Sequence, residues 1–159
     1  FLVVDPSITK AADLKGRNIE GGPKGSPVYL TSMTLLQQAG LTMPHNPTWA
    51  QVESFAAKLN QPGKVAGICL RGLAGWGDNM AALDTVVNTF GGQWFNMNWK
   101  PQLTSPPFVE ATNFYVNLVR KYGEPGAASD SFNQLLTLYG QGKCAMWYDA
   151  TVAATSIAT

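Results

Sequence analysis

Two short segments gather the side chains best suited to do chemistry in this chain. The first is the apolar run Gly67-Ile68-Cys69-Leu70, which ends in Arg71 and leads into a glycine-rich loop presenting Trp76, Asp78 and Asn79. The second is Trp147-Tyr148-Asp149. An indole offers a flat apolar face to C–H groups. A guanidinium, a carboxylate and an amide fork hydrogen bonds to neighbouring hydroxyls. The assortment suits reversible binding of a small, neutral, polyhydroxylated molecule.

Each of these residues also has a plainer reading. Arg71 is a surface arginine at a strand end, paired with Asp78. Asp78 and Asn79 stand where a helical pattern begins, so either is an N-cap. Trp147 is a core residue and Asp149 a helix cap. For Trp76 the plainer reading, a core residue, is the less favoured one, because Gly75 and Gly77 beside it leave no side chains for packing and binding loops carry function disproportionately. Strand alternation puts Trp147 and Asp149 on one face, at a strand's carboxyl end where open α/β sheets bind ligands.

Other candidates are weaker. Trp94 and Trp99 read as structural residues covering a helix end, and Trp49 as packing. The Gly21 to Ser26 loop could cradle a small anion at a helix start, but no phosphate-loop triplet closes it. His45 is the one histidine, and no Ser/His/Asp set or acid–base carboxylate pair is visible. Cys69 and Cys144 lie in apolar strand-like runs. They are expected to be buried free thiols, with a disulfide as the alternative if the strands are neighbours in an oxidising compartment. No close pair of Cys or His offers metal-ligand spacing, so neither metal nor cofactor is expected.

The elements that must hold these residues follow from caps and periodicity. Ser26-Pro27 opens a helix ending at Gly40. Thr48-Trp49-Ala50-Gln51 is a capping box, and Val52, Phe55, Ala56 and Leu59 form the stripe behind it. Val65 to Leu70 reads as the best strand. Met80, Leu83, Val87 and Phe90 mark a helix after the Trp76 loop, and Trp94 to Trp99 is a short extended segment. Ser105-Pro106 opens the strongest helix, with Phe108, Ala111, Tyr115 and Leu118 on one face and Gly123 as its end. Ser131 to Gln134 is a second capping box, Lys143 to Tyr148 a strand, and Asp149 or Thr151 caps a last helix. The order is α/β, with helices in excess.

Length and composition bound the function. The 159 residues suffice for one domain, 1–159, with a core. Charged residues make up 13% and the formal net charge is +1, which gives no electrostatic case for nucleic acid or an anionic membrane. No apolar stretch approaches the ~20 residues of a membrane span. The chain opens at Phe1 without a signal-peptide pattern and stops where a helix has just started. A processed chain or a piece of a larger protein is therefore expected.

From about residue 47 to 157 the chain resembles the sugar-binding proteins of ABC importers, most closely the branch that handles polyols such as sorbitol and mannitol. The resemblance rests on Pro47-Thr48-Trp49, the Gly67 to Gly72 and Gly75 to Met80 segments, Phe90 to Phe95, Trp99-Lys100-Pro101, Phe114-Tyr115-Val116, Gly126 to Ser129 and Gly140 to Ala153. Asp78 departs mildly, since Glu is more usual there in this branch. Residues 5–41 are more similar to the family serving nitrate, sulfonate and thiamine-precursor importers. That makes a chimera joined near 41–47 one reading, and a divergent natural sequence the other.

The resemblance implies one α/β lobe of a periplasmic-binding-protein-like fold, a sheet flanked by helices, in an extracytoplasmic compartment. It implies a polyol or sugar held by Arg71, Trp76, Asp78, Asn79, Trp147 and Asp149 without chemistry, and an ABC permease as partner of the intact protein. The missing second lobe would leave interlobe surface through which a homodimer can form. The alternatives are a small-anion binding module, a non-binding structural or engineered lobe with half a site, and more distantly a hydrolase using Asp78 and Asp149.

Overall fold

The computed structural model describes residues 36, 38–44, 47–150 and 152–153. The expected Ser26 to Gly40 helix and the Gly21 to Ser26 loop fall largely or wholly outside them, as does His45.

Four α-helices frame the described chain: α1 Trp49–Leu59, α2 Asn79–Thr89, α3 Pro106–Tyr122 and α4 Phe132–Gly140. Their ends follow local chemistry. Thr48 and Gln51 exchange the two bonds of a capping box at α1, and Ser131 and Gln134 do the same at α4. Pro106 starts α3, where its missing N–H costs nothing, and the Gly123 N–H ends it on the Val119 carbonyl at 2.9 Å.

Two extended segments, 65–70 and 143–148, run parallel through the middle. They touch as isolated bridges, Ala66 with Cys144 and Cys69 with Trp147, and no regular strand forms among the described residues. The expected strands are thus placed correctly but do not build a continuous ladder. The cause is diversion of the intervening donors. The Gly67 N–H goes to Asn60 Oδ1 at 3.2 Å and the Ile68 N–H to the Tyr122 carbonyl at 3.2 Å. Gly67 also has no room for a side chain, because a Cβ there would overlap the Ala56 carbonyl of α1.

The extended layer separates two apolar clusters. Ile68, Leu70, Ala145 and Met146 pack with α1, α2 and α3 through Ala56, Val86, Val87, Phe108, Ala111 and Leu118. Cys69, Cys144 and Ala66 pack on the other side with Leu135 and Tyr139 of α4. Helices cover both faces of a central extended layer, as the α/β reading requires.

Cys69 and Cys144 are joined as a disulfide with Cα atoms 5.8 Å apart, which corrects the expectation of free thiols. Both are buried as expected. The register Ala66–Cys144 brings the two segments side by side within bridging distance, a relationship that spans 75 positions and has no local signal.

The aromatic residues divide. Trp49 packs edge-on against Phe114 and Tyr148, as expected. Trp94 lies edge-on to Phe108 and donates its indole N–H to Asp84. Trp99 is 82% exposed with φ 58°, so the structural role expected for it is not observed. It sits at the tip of a tight turn closed by the Asn96 N–H to the Lys100 carbonyl and by the Phe95–Pro101 bridge.

Candidate functional site

Arg71 leaves the end of the first extended segment and reaches across to the end of the second. Its Nε donates to Asp149 Oδ2 at 2.9 Å, and Nη2 makes an ion pair with Asp149 Oδ1. Both side chains are largely buried, at 11% and 4% exposure. A bidentate pair in this setting fixes the guanidinium plane. Donating to the Asp149 carboxylate holds the Arg71 pKa above its usual value, with burial opposing and the Asp149 and Asp78 charges adding to it.

The third anchor of Arg71 is the loop itself. Nη1 donates to the Gly77 carbonyl at 2.6 Å, beside Trp76. The guanidinium carbon also lies 5.1 Å over the Phe132 ring, within cation–π range. From below, the Tyr115 hydroxyl donates to the Arg71 carbonyl at 2.6 Å. Burial above all, with the nearby Asp149 charge, raises the Tyr115 pKa, so this hydroxyl stays protonated as donor. Three of the five guanidinium N–H donors are engaged with described residues, which leaves two.

Asp149 is fully subscribed. Its Oδ2 also accepts the Trp147 indole N–H at 3.1 Å, and its Oδ1 accepts the Ala150 N–H at 2.6 Å. A carboxylate has about four lone-pair positions, and protein donors fill them. The alternation expected for Trp147 and Asp149 holds, since they meet on one face. Trp147 is half-buried and stacks at a tilt on Phe132 and Tyr139, 5.6 and 5.7 Å between centroids.

The glycine loop is a pinned platform. The Gly72 and Leu73 N–H groups both point at the Asp130 carbonyl at 3.1 Å, and the Asn79 side-chain oxygen accepts the Gly75 N–H at 3.2 Å. Only glycine fits at position 72, where a Cβ would overlap the Ala127 carbonyl. Asp78 stands at the N-cap position of α2 but makes no side-chain capping bond. Its Oδ1 instead accepts the Ser131 hydroxyl, tying the loop to the start of α4. Trp76 projects outward from this frame, 90% exposed.

All six residues read from the sequence therefore lie in one connected region, linked through Arg71, Gly77 and Ser131. Ser131, Phe132 and Tyr115 belong to it too. They were legible only as a cap, a helix start and a stripe residue, and nothing in their local pattern points to Arg71 or Asp78.

A sequence profile of the bacterial extracellular solute-binding protein family matches residues 5–159, which runs through the seam expected at 41–47. The chain belongs to this family. Within it, a mannitol-binding protein of Pseudomonas aeruginosa is 50% identical over 124 residues, covering 77% of this chain and 28% of the relative. An ABC-transporter solute-binding protein of Agrobacterium vitis, solved with D-mannitol, is 48% identical with a TM-score of 0.76, covering 78% of this chain and 30% of that one. A ribitol complex from Agrobacterium radiobacter is 30% identical with a TM-score of 0.66, covering 76% and 30%. This solute-binding-protein chain spans less than a third of the length of these relatives, and its fold is that part of the periplasmic solute-binding fold.

Proposed function

We propose that this chain carries one wall of a polyol site in the substrate-binding component of an ABC importer, acting by reversible binding without bond making or breaking. The observation that supports this most is the exposed Trp76 indole on a loop clamped to Arg71 through the Gly77 carbonyl. Such a face stacks on the C–H side of an acyclic polyol. The two remaining Arg71 N–H donors, with Asp78 and Asn79, meet its hydroxyls. Trp147 and Asp149 then act chiefly by holding Arg71 in place. The half-identical mannitol-binding relative supports a six-carbon sugar alcohol as ligand class.

In the full-length protein the remaining polypeptide supplies the opposing wall, and closure over ligand signals occupancy to a membrane permease. The Cys69–Cys144 bridge suits an extracytoplasmic compartment. In isolation, the surface around Trp76 and Leu73 is the one a second copy would cover.

The test is calorimetry of the chain against mannitol, sorbitol, ribitol, glucose and nitrate, with its mass measured in solution. Heat of binding for the polyols that is lost in Trp76→Ala supports the reading. Binding of nitrate and not of polyols, or polyol heats unchanged in Trp76→Ala, overturns it.

A further inference from the structure

Glu124 is buried, 7% exposed, and neither of its carboxylate oxygens has a hydrogen-bond partner among the described residues. A buried carboxylate without a donor is costly and calls for a partner. Its surroundings supply one by an indirect route. Donor atoms of Glu124, Cys69 and Cys144 all lie within 4.8 Å of one another, and all three residues are buried.

The geometry points to a masked metal site: when the Cys69–Cys144 bridge is reduced, the two thiolates and the Glu124 carboxylate form a three-donor pocket for a thiophilic divalent cation such as Zn2+ or Cd2+. In the bridged state the sulfurs are bonded to each other and the pocket is closed. Reduction by a phosphine consumes the disulfide and one water. It yields two thiols and a phosphine oxide, the phosphorus losing the two electrons that the sulfurs gain. Binding then displaces both thiol protons, and the carboxyl proton if present, to solution.

The charge balance favours the cation. Two thiolates and a carboxylate around a 2+ ion leave one net negative charge in place of three. Two sulfurs and one oxygen are donors a borderline-soft cation accepts, with a fourth position open to water. The Cα separation of 5.8 Å lets the thiolates part without moving the backbone far. Glu124 also borders a cavity of about 570 Å3 lined by Gly72, Asn79, Tyr115 and Arg120.

None of its three donors is among the residues proposed to hold a polyol, so the site stands whether or not a polyol binds to the chain. Sequence spacing could not show it, since its donors come from positions 69, 124 and 144.

The experiment titrates Cd2+ alone into the full chain, once oxidised and once after anaerobic phosphine reduction and desalting. Thiolate-to-metal absorbance in the ultraviolet is the readout, and Zn2+ competition follows. One ion per reduced chain, none per oxidised chain, and affinity weakened about tenfold or more in Glu124→Gln are expected. Circular dichroism accompanies each titration. If reduction unfolds the chain, refolding by added Cd2+ supports the site and its absence overturns it. Reduced chain without thiolate absorbance, or equal affinity in Glu124→Gln, also overturns it.

Discussion

Arg71 and Asp149 pair bidentately across 78 positions of sequence, and so lock the ends of the two central segments together beneath the Trp76 loop. The pair is largely buried and supports its neighbours, because Asp149 also receives the Trp147 indole and Arg71 holds the Gly77 carbonyl. Removing one partner strands the other. Asp149→Ala is expected to cost about 3–5 kcal/mol by denaturant unfolding. A loss under about 1 kcal/mol would show that the pair is solvated.

The two tryptophans should separate cleanly. Trp76→Ala removes a side chain that is 90% exposed, and stability should change by no more than about 0.5 kcal/mol while any polyol-induced fluorescence change disappears. Trp147→Ala opens a gap against Phe132 and Tyr139 and leaves Asp149 one donor short. A cost of roughly 2–4 kcal/mol is expected, so Trp147 is as much packing as site. Equal unfolding midpoints for the two variants would contradict this division.

Helix ends were legible from the sequence because their causes are local. The capping boxes at Thr48 and Ser131, Pro106 at the start of α3 and Gly123 at its end each act within a few residues. The positions of Arg71, Trp76 and Trp147 at segment ends and in a glycine loop were legible for the same reason. What joins them was not. The Arg71–Asp149 pair, the Ser131–Asp78 bond, the Phe132 ring under Arg71 and the Cys69–Cys144 bridge depend on register between distant segments. Trp94 and Trp99 show the limit sharply. They share one short aromatic segment, yet a tight turn sends the first into α3 and the second to solvent.

The disulfide closes a loop across 75 positions, so most of its effect is expected in the unfolded chain. Chain entropy over that length gives about 4 kcal/mol. The double variant Cys69→Ala, Cys144→Ala should unfold at correspondingly lower denaturant. The native chain should resist a thiol reagent and weigh two hydrogens less than its reduced form. Rapid labelling without reductant would rule the bridge out.

Glu124 makes stability depend on pH in a direction opposite to that of a paired carboxylate. Burial first, then the Asp130 charge, raises its pKa from 4.5 to about 7. Between these values the unfolded chain loses its proton before the folded one, so the folded state binds more protons and stability falls as pH rises. The contribution is fully present below about pH 4.5, is lost on rising through about pH 7, and amounts to no more than about 3 kcal/mol. Melting temperatures of the oxidised chain should decline across this window, and Glu124→Gln should flatten the decline. A slope unchanged in Glu124→Gln would assign it to other groups.

Affinity for polyol should be low in the chain by itself. On the proposed reading Arg71, Trp76, Asp78 and Asn79 supply one wall of the site, and the chain spans less than a third of the length of the matched relatives. Hydroxyls turned away from that face stay in water and contribute little. Removing about half of the contacts would move a micromolar ligand, about 8 kcal/mol, toward the millimolar range, about 4 kcal/mol. Titration of mannitol into monomeric chain should therefore saturate only at millimolar concentration. Restoring the rest of a full-length relative around the same residues should recover the difference. Micromolar binding by the monomer would mean that this face alone encloses its ligand. Micromolar binding that appears only with dimer would mean that a second copy supplies the other wall.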